Sequence, residues 1–527
     1  MADTLSTATA PGDRDEPERL PVRPRLARFL VLFAVFVCAA CGLVYELALV
    51  ALGSYLLGNT IVQASVVLSV MVFAMGVGSL ASKRLTRRPA FYFAVVEGLL
   101  SLLGGLSVLL LYTAFAWFSL YQPALVVIAF LLGALIGAEI PLLMTLIQRI
   151  RSQEAASAAA DLFAADYVGG LIGGLAFPFL LLPVFGLPQG ALAVGILNAV
   201  TGMAVVLWLF RRGLARKAQA LLAGGLAVVL LVLAAAFAYS GTFEVSARQA
   251  LYRDPIIHAQ RSDYQEIVLT RDGPDTRLFL NGDLQFSSLD EYRYHEALVH
   301  PAMRGEHDDV LILGGGDGLA VREIVGYEDV EHVTLVDLDP TVVELSRNHP
   351  DIAELNEHAF EDERVDVIPT DAFNWLRDNR EKFDVIISDM PDPDNVATAK
   401  LYSVEFYTLA KRALAEGGRL VVQGGSPYFA AKAYWSVGES LQEAGFETTP
   451  YNVDVPSFGN WGFFLAQSGT SPKLALPADH PVTRFLDAAT LRAAKVFPKD
   501  RRATDSLPST LLHPRIIDYH TGAWVSY

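Results

Sequence analysis

Four aspartates fall where an α/β protein keeps its ligands. Asp317 lies inside the glycine stretch LILGGGDGLAVREIV, residues 311–325. Asp337, Asp371 and Asp389 stand at the ends of three apolar runs, HVTLVDLD (332–339), RVDVIPTD (364–371) and FDVIISDM (383–390). Asp392 follows Asp389 at i+3 on a proline-stiffened loop, DMPDP. Ligands of open parallel sheets bind at the carboxyl ends of strands, near the switch in strand order. One aspartate there reads as well as a helix cap; four at successive strand ends favour a ligand. Clustered carboxylates attract cations, and one of them can take a proton from an amine.

The glycine stretch narrows the ligand. A dinucleotide fingerprint starting at Gly314 needs a third glycine at the position held by Leu319. Asp317 would also repel a pyrophosphate. Asp337 lies 20 residues after Asp317, the usual place for an acid that accepts from a ribose diol. These features describe a site for a nucleoside without phosphates, and an adenosyl sulfonium fits. Many S-adenosylmethionine methyltransferases share this signal.

The elements that must position these acids alternate strand and helix from DVLILGG (309–315) to GGRLVVQGG (417–425), which predicts a largely parallel sheet. Before them, residues 264–303 read as β-strands with turns at RDGPD and NGD, a small β-domain. The tail after Ser471 carries no legible motif.

The first half of the chain is different. Of 527 residues, 52% are hydrophobic, and the excess lies between about Arg28 and Tyr239. A spanning helix needs about 20 apolar residues. About seven candidate spans follow, at 28–53, 60–81, 89–113, 123–147, 158–184, 188–210 and 219–240. The polar tail 1–27 is not read as a cleavable signal, because the apolar run after it is too long. Arginines and lysines alternate along the loops, which places that tail in the cytoplasm of a multi-pass protein of the cell (inner) membrane. An odd count then puts the second half outside, whereas an adenosyl donor is made in the cytosol: either one run does not cross, which is the favoured expectation, or the orientation rule fails, or product and substrate are handled across the membrane. Glu46, Glu97, Glu139, Asp161 and Asp166 lie within the spans and suggest cation binding or, near helix ends, hydration. Cys38 and Cys41 fit helix packing better than a redox or zinc site. A net charge of −16 argues against nucleic acid.

Taken together, the motifs YQEI, NGDLQ…DEYRYHE, GGGDG, VDLDP, TDAFNWL, DMPDP, LYSVEFY and VPSFGNWGF resemble those of the spermidine synthase (polyamine aminopropyltransferase) family, in its long membrane-anchored bacterial form. The likeness covers about residues 245–470. It implies a multi-pass helical domain (28–240), a β-domain (241–305), a Rossmann-like methyltransferase-type domain (306–470) and a C-terminal extension (471–527). It implies no metal or bound cofactor, decarboxylated S-adenosylmethionine as co-substrate and a small diamine as acceptor, with the lipid bilayer as a further partner and a homo-oligomer left open. By resemblance, Gln265 and Asp337 hold the nucleoside and its ribose, and Asp371 with Ala372 the adenine edge. His295 and Asp317 line the aminopropyl and polyamine channel. Asp389 is the catalytic acid/base group, Asp392 binds the acceptor, and Tyr294 and Gln285 neighbour it.

Two places depart from the family pattern. DNV (394–396) replaces the usual G-P-A beside the nucleoside, and Phe458 replaces a tyrosine at the acceptor end. Competing readings are a methyltransferase-type enzyme on the same nucleoside pocket and a membrane transporter or sensor that binds polyamine without turnover. Asp317 and the YHE stretch speak against the first, and Asp389 against the second.

Overall fold

The computed structural model describes residues 21–57, 60–150, 155–502 and 505–524. Most of the polar tail, and Arg151 of the fourth basic loop, lie outside these residues. The chain divides into two compact units, Met1–Leu251 and Tyr252–Tyr527.

The first unit is helical: α1 (Pro24–Leu57), α2 (Thr60–Ser82), α3 (Pro89–Phe118), α4 (Tyr121–Ile150), α5 (Ala155–Ala176), α6 (Leu182–Ala204) and α7 (Arg216–Leu251). Six helical stretches among the described residues are long and apolar enough to cross a membrane. One of them, Ala159–Leu209, contains both α5 and α6. Gly186 breaks it with φ 69° and ψ −179°, a conformation that favours glycine. Directions follow from the contacts. Gly169 and Gly173 of α5 lie against Phe36 and Ala40 of α1, so these two run parallel. Gly104 of α3 lies against Tyr45, and Glu97 is beside Cys38, so α3 is also parallel to α1. Gly195 and Gly202 of α6 meet Ser101 and Glu97 in the reverse order, so α6 is antiparallel to α3 and to α5. The long stretch is thus a hairpin, and seven segments are present where six helical stretches are counted. A Cβ at Gly169 or Gly173 would sit 2.2 or 2.4 Å from a carbonyl of α1, which is why the GGLIGG run is small.

Two of the five acids in the spans have polar side-chain partners among the described residues. Asp161 pairs with Arg28. Glu97 accepts from Asn198 at 2.9 Å, and Asn198 also donates to Ser101 at 3.0 Å. Cys38 and Cys41 are buried and free of disulfides, and the Cys38, Glu97 and Glu139 ligand atoms lie within 4.8 Å of one another.

The second unit begins with an antiparallel sheet in the order β1 (Ile256–Arg261), β2 (Glu266–Asp272), β3 (Asp275–Leu280), β4 (Asp283–Ser287). Helix α8 (Glu291–Val299) follows. Two boundaries differ from expectation. Residues 241–251 belong to α7, because the helical pattern continues past Tyr239, and the end of the 264–303 stretch is helical. The DEYRYHEALV run has apolar residues at helical spacing, and Ala297, Leu298 and Val299 bury against the larger sheet.

That larger sheet comprises β5 (Asp309–Gly314), β6 (His332–Asp337), β7 (Val365–Pro369), β8 (Phe383–Asp389), β9 (Leu414–Gly425), β10 (Glu447–Val455) and β11 (Gly459–Gln467), in the order β10-β11-β9-β8-β5-β6-β7. The first five in sequence pair in parallel; β11 is antiparallel to β9 and to β10. Its helices are α9 (Leu319–Val325), α10 (Pro340–Asn348), α11 (Pro350–Leu355), α12 (Ala372–Asp378), α13 (Val396–Ala399), α14 (Val404–Ala413) and α15 (Ala431–Glu443), followed by α16 (Ala488–Ala494) and α17 (Arg515–Trp524). Strand order switches between β5 and β8, where Gly314 pairs with Asp389. The small sheet packs Ile267, Leu269, Leu278 and Phe286 on Leu319, Val342 and Leu345. The C-terminal segment is not an appendage: Leu474, Leu486 and Leu491 join one face of the core, and Phe497 and Ile516 the other.

Candidate active site

The glycine loop and the end of β8 touch. Gly314 has φ +83°, and a Cβ there would lie 2.1 Å from the carbonyl oxygen of Asp389. The missing side chain lets the loop close over the switch point. A Cβ on Gly316 would meet the Asp337 carboxylate at 2.8 Å. Instead the Gly316 amide donates to Asp337 Oδ2 at 3.1 Å, and the Asp339 amide to Asp337 Oδ1 at 2.8 Å. Burial pushes the Asp337 carboxyl up to about 6, against these two bonds.

Tyr294 and His295 reach the slot from α8. The Tyr294 hydroxyl donates to Asp389 Oδ1 at 2.5 Å. His295 is 2% exposed, and its Nδ1 lies 2.9 Å from Glu291 Oε2. Burial opposes charge on His295, but Glu291, then Asp317 and Asp389, outweigh it and raise it to about 9. Arg322 grips Glu291 with two bonds of 2.9 and 3.0 Å. Charges therefore alternate inward: Arg322, Glu291, His295, then Asp317 and Asp389. Burial raises Asp317 to about 6, with His295 opposing and Asp389 adding to the rise. Asp389 is also raised by burial, with His295 and the Tyr294 bond acting downward. Glu291 and Arg322 escaped the sequence reading. The i, i+4 spacing of Glu291 and His295 in DEYRYHE was the available signal.

The loop after Asp389 is held by buried polar groups. Tyr402 donates to the carbonyls of Met390 and Pro391 at 3.1 and 2.9 Å, and Gln423 to Met390 at 2.6 Å. Asp392 Oδ2 lies 3.4 Å from His520. Asn395 of the DNV stretch caps α13 by accepting from Ala397 and Thr398, so this departure has a local helical cause. Phe458 packs edge-on to Tyr294 at 6.0 Å, so the ring is kept and the hydroxyl lost.

The remaining predicted residues lie further out. Gln265 donates to Asp339 Oδ2 at 3.0 Å, one residue pair removed from Asp337. Asp371 caps α12 through the Asn374 amide at 2.8 Å and pairs with Lys400 at 2.6 Å; the helix-cap reading describes what it does in this structure. Ala372 opens the same helix. Gln285 donates to the carbonyl of Asp283 on its own strand, and among the described residues no hydrogen bond joins it to Asp389 or Asp392.

The geometry is that of a Rossmann-like, nucleoside-dependent group transferase whose slot is lined by acids. The profile of the family described as spermine/spermidine synthase domain matches residues 291–476. Polyamine aminopropyltransferase 1 of Streptomyces coelicolor is 58% identical, over 95% of this chain and 96% of its own. Polyamine aminopropyltransferase of Mycobacterium tuberculosis is 45% identical, over 94% and 97%. A spermidine synthase crystallised with the transition-state analogue AdoDATO aligns with a TM-score of 0.44 and 24% identity, over 46% of this chain and 86% of that one. The chain belongs to the polyamine aminopropyltransferases of the spermine/spermidine synthase family.

Proposed function

We propose that this aminopropyltransferase moves the aminopropyl group of decarboxylated S-adenosylmethionine onto putrescine or a related diamine, giving spermidine and methylthioadenosine, and that Asp389 is its acid/base group. The observation that carries the assignment is the Asp389 carboxylate, which ends β8 against the glycine loop and is oriented by Tyr294. The acceptor nitrogen attacks the carbon next to the sulfonium. The C–S bond breaks, its electron pair stays on sulfur, and neutral methylthioadenosine leaves. No charge needs stabilising on the leaving group, so this step needs no Lewis acid there. The attacking nitrogen must shed a proton, and Asp389 accepts it as the C–N bond forms.

Asp317 faces the donor's own ammonium, Asp337 the ribose diol, and Asp392 the acceptor's distal ammonium. Asp317 also repels the carboxylate of intact S-adenosylmethionine, which excludes the commoner metabolite. Gln265, Asp371 and Ala372 support the nucleoside from outside this ring. Purified protein given the donor and a panel of diamines should release methylthioadenosine, followed by mass spectrometry. Silence with every amine would overturn the assignment.

We further propose that the helical unit lies in the cell membrane and crosses it seven times. Gly105 lies against Leu233 and Tyr112 against Phe243, so α7 is parallel to α3, and the starts of α1, α3 and α7 gather Arg28, Lys83 to Arg88, and Arg211 to Lys217 on one face. By the positive-inside rule that face is cytoplasmic, and α7 then ends at Leu251 on the other, which requires the donor to be supplied across the membrane. An alkaline phosphatase reporter fused after Tyr527 is expected to be active. An inactive phosphatase with a fluorescent cytoplasmic reporter at the same point would mean that one run does not cross.

A further inference from the structure

The C-terminal segment has no motif, yet the fold delivers its last helix to the acceptor end. Helix α17 is firmly seated. Ile516 is fully buried, the Ser509 amide donates to Ser440 Oγ at 2.9 Å, and Ser436 Oγ donates to the Leu507 carbonyl at 2.7 Å. This seating puts His520 Nε2 3.4 Å from Asp392 Oδ2. Asp394 approaches from the same loop as Asp392, and Asp283 from the start of β4. Gln423 lies 3.5 Å from the other oxygen of Asp392 and is neutral.

We propose that His520 is a positioning residue of the acceptor end that tunes acceptor affinity. Its imidazolium holds Asp392 where the distal ammonium of a bound diamine would otherwise pair. It thereby sets how tightly, and at which pH, the acceptor binds. The proposal rests on Asp392 being the acceptor-binding acid.

The physical case is competition between like charges. A diamine that reacts at one nitrogen carries the other as an ammonium. Asp392 Oδ2 cannot give full strength to that ammonium and to an imidazolium at once, and the two cations repel. Burial works against charge on His520, but Asp392, then Asp394 and Asp283, outweigh it and hold its pKa above the usual histidine value. Asp283 is pushed up to about 6 by burial, with Asp394 and Asp392 adding to the rise and His520 opposing it. As pH rises through the raised pKa of His520 the competing cation disappears, while an alkylammonium, with a pKa near 10, stays charged. Acceptor binding tightens with pH over that range.

Steady-state kinetics on the full-length protein in lipid nanodiscs test this, with putrescine as acceptor between about pH 6 and 9. His520→Gln should lower the putrescine KM roughly fivefold at neutral pH and flatten its pH dependence. Both kcat and the donor KM should stay within about twofold. His520→Lys, a permanent cation, should keep the KM high across the whole range. An unchanged or raised KM in the glutamine variant, or a wild-type KM that does not fall with pH, would overturn the role of His520. If the glutamine variant does not fold, the wild-type profile and the lysine variant decide. Asp392→Asn is the control on the site: if it leaves the acceptor KM untouched, the acceptor assignment fails, whatever His520 does.

Discussion

Asp389→Asn is expected to lower turnover by about a thousandfold or more, with methylthioadenosine still bound at close to wild-type affinity. The amide has the shape of the carboxylate, so its oxygen still accepts from Tyr294 and the slot keeps its form. It cannot take the proton that the attacking nitrogen must lose. This change leaves alone Asp337 and the glycine loop, the proposed nucleoside site. Stability should hold or rise. Burial raises the Asp389 pKa, so its ionised form costs stability as pH climbs above the ordinary carboxylate range. A neutral amide removes that cost. Single-turnover release of methylthioadenosine, calorimetric titration with methylthioadenosine and a melting curve test the three parts. Lost binding with lost turnover would assign Asp389 to the nucleoside instead.

The second large effect is expected at Glu291→Gln, where stability falls by about 3–5 kcal/mol and the acid limb of the rate profile moves to higher pH. Glu291 has no exposed side-chain surface and Arg322 only 11%. Removing the carboxylate leaves a buried guanidinium with Glu323 as its remaining ion-pair partner. Burial alone would raise Glu291, but His295 and Arg322 outweigh it and lower it. Its contribution to stability is therefore present above the ordinary carboxylate range and is lost as pH falls through the lowered value. His295 has the opposite sign. Raised to about 9, it contributes fully below its unfolded pKa and loses that contribution as pH rises through 9. Without Glu291 the imidazolium loses its main support and becomes neutral at lower pH. Asp317 and Asp389 then lose the cation that holds them down, and both titrate higher. Denaturant melts and a kcat/KM profile from about pH 5 to 9 measure both effects. A wild-type profile in a fully folded variant would show that the charge chain is structural and does not tune the acids.

Several parts of this site were legible because they are local. The glycine loop, the acid at the end of β6 and the acid at the end of β8 each lie a few residues from a strand whose apolar run is plain. Four of the acids occupy similar sequence contexts, yet the fold treats them differently. Asp337 and Asp389 end neighbouring parts of the sheet and face the glycine loop, whereas Asp371 lies beyond the end of β7 and caps a helix. Local sequence does not separate these roles, because a cap and a ligand-binding acid both stand just before a helix.

The sequence by itself determined the division into an apolar helical half and an α/β half and the nucleoside character of the donor, and it put the candidate acids at strand ends. Hydrophobic period, run length and strand-end chemistry act over a few residues, and each leaves its mark locally. Only the tertiary structure decided two things. It placed Arg322 behind Glu291 and His295, joining α9 to α8 through a buried ion pair. And it carried His520 from the last helix to Asp392, residues separated by 128 positions in the chain. A charge pair between distant segments has no periodicity to announce it; it exists only once packed helices bring its members within a few ångströms.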